Sequence, residues 1–319
     1  MILRLISFLY GYLMKLRVFL YETGVFRCKK LPCMVISVGN ITLGGSGKTP
    51  AVISLAEMAL KAGYNPAILI RGYKGKGSRK RSKDFFLRVM RGEIELVSDG
   101  ERCLLDPFEA GDEAYLLAER LKGVPVIKGR KRSITGKCAL QRFNSDLLIL
   151  DDGFQHLSIH RDLNILLVDS TNPFGNRYIF PAGILREPME AIKRADIIIF
   201  TKVSPLSLPL SDIEVEVRRY NEKAPIFLAS HQPAGFVDMA GVIHPVGALN
   251  GKRVLIFSGI ANPASFYETI RGIGCVIVKE IIYPDHHLYK EKDLVQIEQL
   301  SINNGAEAVV TTEKDAVKL

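Results

Sequence analysis

Residues 44–49 read Gly44-Gly45-Ser46-Gly47-Lys48-Thr49. Small residues followed by a lysine and a hydroxyl suit chemistry on phosphate. Without bulky side chains the backbone N–H groups can converge on phosphate oxygens, and a helix starting at the lysine adds its positive dipole end. In such a loop Lys48 bridges the β and γ phosphates and the Thr49 hydroxyl ligates Mg²⁺. The commonest form of the loop has glycine where Thr42 stands. The alternative, a glycine-rich turn capping an ordinary helix, does not account for the full Gly-Gly-x-Gly-Lys-Thr order.

Three acidic or histidine-bearing stretches could complete the chemistry. Leu147-Leu148-Ile149-Leu150-Asp151-Asp152 is an apolar run ending in two carboxylates. After a phosphate-loop strand, such a run places acids at the sheet edge where phosphates lie, and one of them can hold Mg²⁺. Ala110-Gly111-Asp112-Glu113 precedes an amphipathic stretch and reads equally as a helix cap. Asp285-His286-His287 is similarly open, and His156/His160 have poor metal-ligand spacing. If Asp112 and His286 met, they would supply a base and its orienting partner for a hydroxyl nucleophile.

Positioning these residues calls for a layered scaffold. Met34–Val38 reads as a buried strand, the glycine loop follows, and a helix runs from about Thr49 to Ala62. Further buried strands are expected at Ala67–Ile70, Val124–Ile127, Asp146–Leu150, Asn164–Val168 and Asp196–Phe200. The alternation predicts an α/β fold: a P-loop NTPase-type parallel sheet flanked by helices. Ile226–His231 and Phe236–Met239 suggest a short hairpin around Gln232-Pro233-Ala234-Gly235. A second βα series follows at Arg253–Phe257, Cys275–Lys279 and Ala308–Thr311. The expected organisation is an N-terminal amphipathic helix over 1–30, a P-loop domain over 31–228, and a smaller α/β domain over 229–319 joined through the hairpin. At 319 residues with 47% apolar and 24% charged side chains, the composition is globular and excludes a disordered chain.

A formal charge of +9 favours anionic partners: phosphates, acidic lipid headgroups or nucleic acid. The five scattered cysteines, with no Cys-x-x-Cys pair, read as reduced thiols of a cytoplasmic protein. Leu5 to Met14 is uncharged and apolar but too short to span a bilayer, and no cleavage site follows it. As a helix it places Arg4, Ser7, Gly11 and Lys15 on one narrow stripe, with apolar residues over most of the remaining circumference. That pattern suits a helix lying in a membrane interface or one docked on the protein's own core, and the two readings stand level. The basic stretch Arg71–Lys83 contains a single aromatic residue, Tyr73, so an anionic lipid or phosphorylated substrate suits it better than nucleic acid.

Several motifs then occur in order. Ser37-Val38-Gly39-Asn40-Ile41-Thr42 leads into the glycine loop and Pro50; Arg71-Gly72-Tyr73, Gly111-Asp112-Glu113 and Leu150-Asp151-Asp152-Gly153-Phe154-Gln155-His156 follow. Pro181-Ala182-Gly183, Leu185-Arg186-Glu187-Pro188, Phe257-Ser258-Gly259-Ile260, Tyr283-Pro284-Asp285-His286-His287 and Thr312-Glu313-Lys314-Asp315 complete the series. Over essentially its whole length the sequence resembles the tetraacyldisaccharide 4′-kinases, the lipid A 4′-kinases of Gram-negative bacteria, and a hydroxyl residue at Thr42 matches that family's pattern.

The resemblance implies ATP-dependent phosphorylation of the 4′-hydroxyl of an acylated glucosamine disaccharide 1-phosphate, giving lipid IVA. It implies a peripheral enzyme on the cytoplasmic face of the inner membrane, anchored by the N-terminal helix to an anionic surface, with no nucleic acid and no obligate protein partner. Carried over residue by residue, Asp112 is the base, assisted by His286. Thr42, Gly44, Gly45, Ser46, Gly47, Lys48 and Thr49 hold the nucleotide; Thr49, Asp151 and Asp152 serve Mg²⁺. Arg71, Gln155, His156, Arg186 and Glu187 line the site. Lys128-Gly129-Arg130-Lys131-Arg132 is more basic than the family's usual stretch, so only Arg132 is carried over from it. The sequence ends at Leu319, where relatives usually continue, which raises the expectation of an incomplete second domain.

Two other classes stand as alternatives, and missing residues count against both. A P-loop switch GTPase would use Thr201-Lys202, but the guanine-reading aspartate is replaced by Ser204, and Leu43 stands where partition-type ATPases carry an extra lysine. A nucleic-acid-stimulated ATPase lacks its helicase motifs and an aromatic stacking platform.

Overall fold

The computed structural model describes residues 2–72, 94–204 and 208–319, so the basic stretch from residue 73 onward lies outside the described residues. Contacts divide the chain into two compact units, Met1–His231 and Gln232–Leu319.

The first unit is built on an eight-stranded sheet. Its strands are β1 (Met34–Gly39), β2 (Pro66–Ile70), β3 (Glu95–Ser98), β4 (Val126–Lys128), β5 (Leu147–Asp151), β6 (Leu163–Asp169), β7 (Ile197–Thr201) and β8 (Ile226–Leu228), in spatial order β3-β4-β2-β5-β1-β6-β7-β8. All pairings are parallel except β3 with β4. The central strands are apolar on both faces because helices cover both. Ile36, Val38, Leu147 and Ile149 face α2 (Lys48–Lys61) and, beyond the short α3 (Pro107–Ala110), α4 (Asp112–Arg120). Val35, Leu148 and Leu150 face α5 (Arg132–Phe143), and Leu166, Val168, Ile198 and Phe200 pack on a 3-10 turn at Met189–Arg194 and on α6 (Leu210–Arg218). Successive residues thus alternate between the two cores, as the period of a strand requires.

Two expectations are corrected. The strand ending at Leu228 does not turn back into a hairpin; it extends the large sheet beside β7, where Ala229 N–H donates to Phe200 O at 2.8 Å. The hairpin forms one segment later, between β9 (Phe236–Val237) and β10 (Ile243–His244). There the Asp238 carboxylate accepts from the N–H groups of Ala240 and Val242, and Gly241 takes the positive φ that the turn demands. No local signal of that kind exists at 232–235. Also, β3 adds an antiparallel edge that the βα alternation gave no reason to expect.

The N-terminal helix α1 (Ile2–Glu22) packs on the first unit through its narrow stripe. Ser7 and Gly11 are buried, Ser7 Oγ accepts from Ala182 N at 2.9 Å, Lys15 pairs with Glu190 at 2.7 Å, and the Arg4 guanidinium lies 5.0 Å from the centre of the Tyr178 ring. A Cβ at position 11 would come within 2.7 Å of Ile179 Cδ1, so a larger residue there requires that side chain to shift. The apolar side faces outward: Ile2, Leu5, Phe8, Leu9, Tyr12, Leu13 and Phe19 are all exposed. Among the described residues no helix is long and apolar enough to cross a membrane.

In the second unit β11 (Arg253–Ser258) lies between β12 (Val276–Ile282) and β13 (Ala308–Thr311), all parallel. Helices α7 (Pro263–Gly272), α8 (Glu291–Asn303) and α9 (Glu313–Ala316) connect or follow them.

Candidate active site

The phosphate cradle forms at the C-terminal end of β1. Gly44 and Gly47 hold φ of 103° and 78°, conformations closed to most L residues, and Gly47 caps α2 so that Lys48 and Thr49 open the helix. A side chain on Gly44 or Gly45 would meet no protein atom within 4 Å, which leaves the backbone open on that side. Thr42 needs no glycine: it is buried, pairs with Leu185 in an isolated antiparallel bridge, and its hydroxyl lies 3.4 Å from Asn40 Nδ2. Behind the loop, Thr201 Oγ1 at the end of β7 donates to Ser46 O at 3.0 Å and fixes the cradle's far wall. Lys202, the other half of the guanine-like pair, is turned to Asp169.

Asp151 closes β5, and the chain then turns sharply at Asp152, whose φ is 49°. The two carboxylates have opposite electrostatics. Burial, reinforced by the charges of Glu113 and Asp152 and opposed by Lys48 and Arg132, pushes the Asp151 carboxyl up to about 6. Its Oδ1 is buried with no protein hydrogen-bond partner. Asp152 is also burial-destabilised, but a bidentate Arg186 at 2.6 and 3.0 Å, with Lys48 and Arg132, outweighs that and holds it below the ordinary carboxylate value. Lys48 Nζ lies 3.8 Å from Asp152 Oδ1. Buried Arg132 donates to Gly129 O and Asp151 O, anchoring the end of β5.

Gln155 and His156 follow. Gln155 Nε2 donates to Asn40 O at 2.8 Å, and the Gln155 carbonyl accepts from Arg17 of α1. His156 contacts Ser158 Oγ at 3.1 Å. Burial first, then the positive charges of Arg132, Arg161, Arg17 and Arg71, push its pKa down to about 4, so the ring is neutral at physiological pH. Asp112 is half-buried as the first residue of α4, directly after Gly111 with φ 83°. Lys128, the last residue of β4, donates to the Glu109 and Ala110 carbonyls, which brings the Gly111-Asp112-Glu113 turn to the C-terminal edge of the sheet where Asp151 ends β5.

The structure therefore brings Lys48, Asp151, Asp152, Arg186 and the Asp112-Glu113 turn to one edge. Glu187 is turned away from it: only 1% exposed, its carboxylate is taken by Arg194, whose guanidinium lies 4.9 Å from the centre of the Phe154 ring. It secures the loop that carries Arg186. His286 lies in the second unit at φ 60°, its N–H donating to Gly259 O at 3.1 Å and to Asp285 Oδ1 at 3.0 Å, with Lys314 3.5 Å from the same carboxylate oxygen. Sequence reading missed the structural parts of Asn40, Thr201, Arg17 and Arg161. Of these, Asn40, inside the Gly-Asn-Ile-Thr lead-in, and Thr201, in the Thr-Lys pair after β7, carried a signal, though not for these parts.

The description "Tetraacyldisaccharide-1-P 4′-kinase" matches residues 1–319. The chain belongs to this family. It is 41% identical to the tetraacyldisaccharide 4′-kinase of Syntrophus aciditrophicus, covering the whole chain and 84% of that protein, and 38% identical to that of Geobacter metallireducens, covering the whole chain and 88% of the relative. Among solved structures, "apo" form LpxK from Aquifex aeolicus in complex with ATP is similar at a TM-score of 0.76 and 32% identity, over 98% of this chain and 88% of that one. The glycine cradle, the acidic strand end and the acidic turn therefore lie in a chain of this kinase family.

Proposed function

We propose that the protein transfers the γ-phosphate of ATP to the 4′-hydroxyl of an acylated glucosamine disaccharide 1-phosphate, with Asp112 as the base and Mg²⁺ as the ion. The observation that carries the reading is the convergence of Lys48, Asp151, Asp152 and the Asp112-Glu113 turn on the C-terminal edge of one sheet. The cradle's backbone receives the triphosphate, Lys48 balances its β and γ charge, and Arg186 holds Asp152 in place. Phosphoryl transfer proceeds through a loose transition state, so the acceptor hydroxyl needs little deprotonation and one positioned carboxylate suffices.

The donor set fits Mg²⁺. This ion takes one or two carboxylates and completes its shell with phosphate and water, and Asp151 offers a buried carboxylate oxygen without a protein partner, near Lys48. Asp151, Asp152 and the Thr49 hydroxyl would hold it, and when bound it would neutralise charge on the transferring group. His286 is assigned a supporting part by family resemblance, tested separately by the kcat of His286→Asn.

The outward apolar face of α1 supports a peripheral membrane association, and the family resemblance assigns it to the cytoplasmic face of the inner membrane. A leucine or phenylalanine taken fully out of water contributes about 1.5–3 kcal/mol, so a few of these side chains suffice for binding.

The deciding assay follows labelled γ-phosphate from ATP onto disaccharide 1-phosphate in detergent micelles. Labelled lipid with the intact protein, and a kcat at least 100-fold lower for Asp112→Asn with ATP binding retained, are expected. ATP hydrolysis with no lipid product would remove the acceptor assignment. An active Asp112→Asn would remove the base.

A further inference from the structure

Strand β4 ends not in another apolar residue but in Lys128, 7% exposed in the interior of the first unit. Its ammonium is held by protein oxygens. Nζ lies 3.0 Å from Glu95 Oε2 across the antiparallel β3–β4 pair, and donates to Glu109 O and Ala110 O at 3.1 Å each. Two of its three N–H groups donate to those carbonyls, while Glu95 Oε2 is an ion-pair partner that takes no hydrogen bond. Buried on the protein's own carbonyls, Lys128 offers no exposed cation.

The two carbonyls it holds are significant. Glu109 and Ala110 are the last residues of α3, a single turn whose final carbonyls have no helical partners. The chain then passes through Gly111 at φ 83° and ψ 146° and starts α4 at Asp112. One residue therefore separates the carbonyl gripped by Lys128 from the proposed base. A cation at the end of a turn both satisfies its carbonyls and favours its dipole. An apolar residue at 128 would leave both carbonyls buried without a donor and the turn free to shift.

We propose that Lys128, held by Glu95, is a positioning residue that sets the place of Asp112 against the sheet edge. The proposal rests on Asp112 being the base. Positioning matters because displacing a reacting group by about 1 Å can lower a rate on the order of 100-fold.

The test is a double-mutant cycle on the full-length protein in the micelle assay, with Lys128→Met, Asp112→Asn and the double variant. Lys128→Met keeps the length of the side chain and removes its donors. It is expected to lower kcat about 10- to 100-fold with the KM for ATP within about twofold of the parent. On the Asp112→Asn background the same substitution should cost less than about threefold, because the group it positions is already gone. A merely structural role would reduce activity equally on both backgrounds, and that result overturns the proposal, as does a Lys128→Met enzyme of parental kcat. If Asp112→Asn itself keeps parental kcat, the base assignment fails, and the positioning role with it, on a measurement separate from the lysine variant. Should Lys128→Met not fold, Glu95→Gln takes its place in the cycle. A several-fold loss of kcat seen only with Asp112 present supports the proposal, and no loss overturns it.

Discussion

The Asp151 carboxyl carries its proton into a pH range where a surface aspartate would have lost it. Its folded value near 6 lies above the ordinary 3.8, so the folded protein binds that proton more tightly than the unfolded chain does. Without metal, its contribution to stability is greatest below about pH 4, declines as pH rises toward 6, and remains a penalty above, of at most about 3 kcal/mol. Asp151→Asn should remove that slope in thermal melts run in EDTA, while lowering kcat at least 100-fold. His156 works in the opposite sense. Its folded value near 4 lies below 6.5, so protonation of the unfolded chain erodes stability as pH falls from 6.5 toward 4. His156→Gln should flatten the acid side of the melting profile in that window. A variant that melts with the parental pH dependence would place the ring in water. Neither shift was readable from the sequence, because both depend first on burial, which tertiary packing decides, and then on charges mostly remote along the chain: Glu113 for Asp151, and Arg132, Arg17 and Arg71 for His156.

At the level of elements, the phosphate loop and its helix were legible because glycine geometry is local: Gly44 and Gly47 adopt the positive φ values that their type permits. The stripe Arg4-Ser7-Gly11-Lys15 was equally visible, yet the sequence left open which side of the helix it served. Packing decides it, since the stripe meets the 178–190 segment and the apolar residues face out. Gly11→Leu should therefore lower the melting temperature by several degrees, because its bulk must displace the Ile179 side chain and part the helix from its seat. Leu9→Glu with Leu13→Glu, both on the exposed side, should leave melting within about 2 °C and cut co-sedimentation with anionic vesicles at least tenfold. Equal destabilisation by both sets would mean the outward face is buried in solution. Strand β3 escaped the reading because Glu95–Ser98 is short and belongs to no βα repeat. For Lys128 the one clue was a basic residue closing an apolar strand, with nothing in the sequence to name Glu109 and Ala110 as its partners.

For the molecule as a whole, the net charge of +9 bears on the proposed membrane association. Attraction between a basic surface and acidic headgroups is screened within about 8–10 Å at physiological salt. Vesicle binding should therefore weaken several-fold between 50 and 300 mM salt without vanishing, the remainder being apolar. Salt-independent binding would argue that charge plays no part. The second unit has its own keystone. Asp315 is completely buried; burial opposes its charge, yet hydrogen bonds from Lys318, Gly259 N–H and Thr312 prevail and keep it below the ordinary carboxylate value. Replacing it by alanine should cost that unit on the order of 3 kcal/mol. Amide exchange should then quicken in β11 and β13 and stay unchanged in β1 and β5.

The inside-out construction of α1 also determines which substitutions the helix can absorb. Most amphipathic helices guard their greasy side against change and let the watery side drift. Here the guarded positions are the small ones, Ser7 and Gly11, which admit the neighbouring backbone and the Ile179 methyl. On the proposed membrane association, the bulky outer residues meet only a fluid and would be exchangeable for one another. A saturation library scored for lipid phosphorylation should show a narrow intolerant line along the polar residues and a broad permissive field of interchangeable hydrophobes around it.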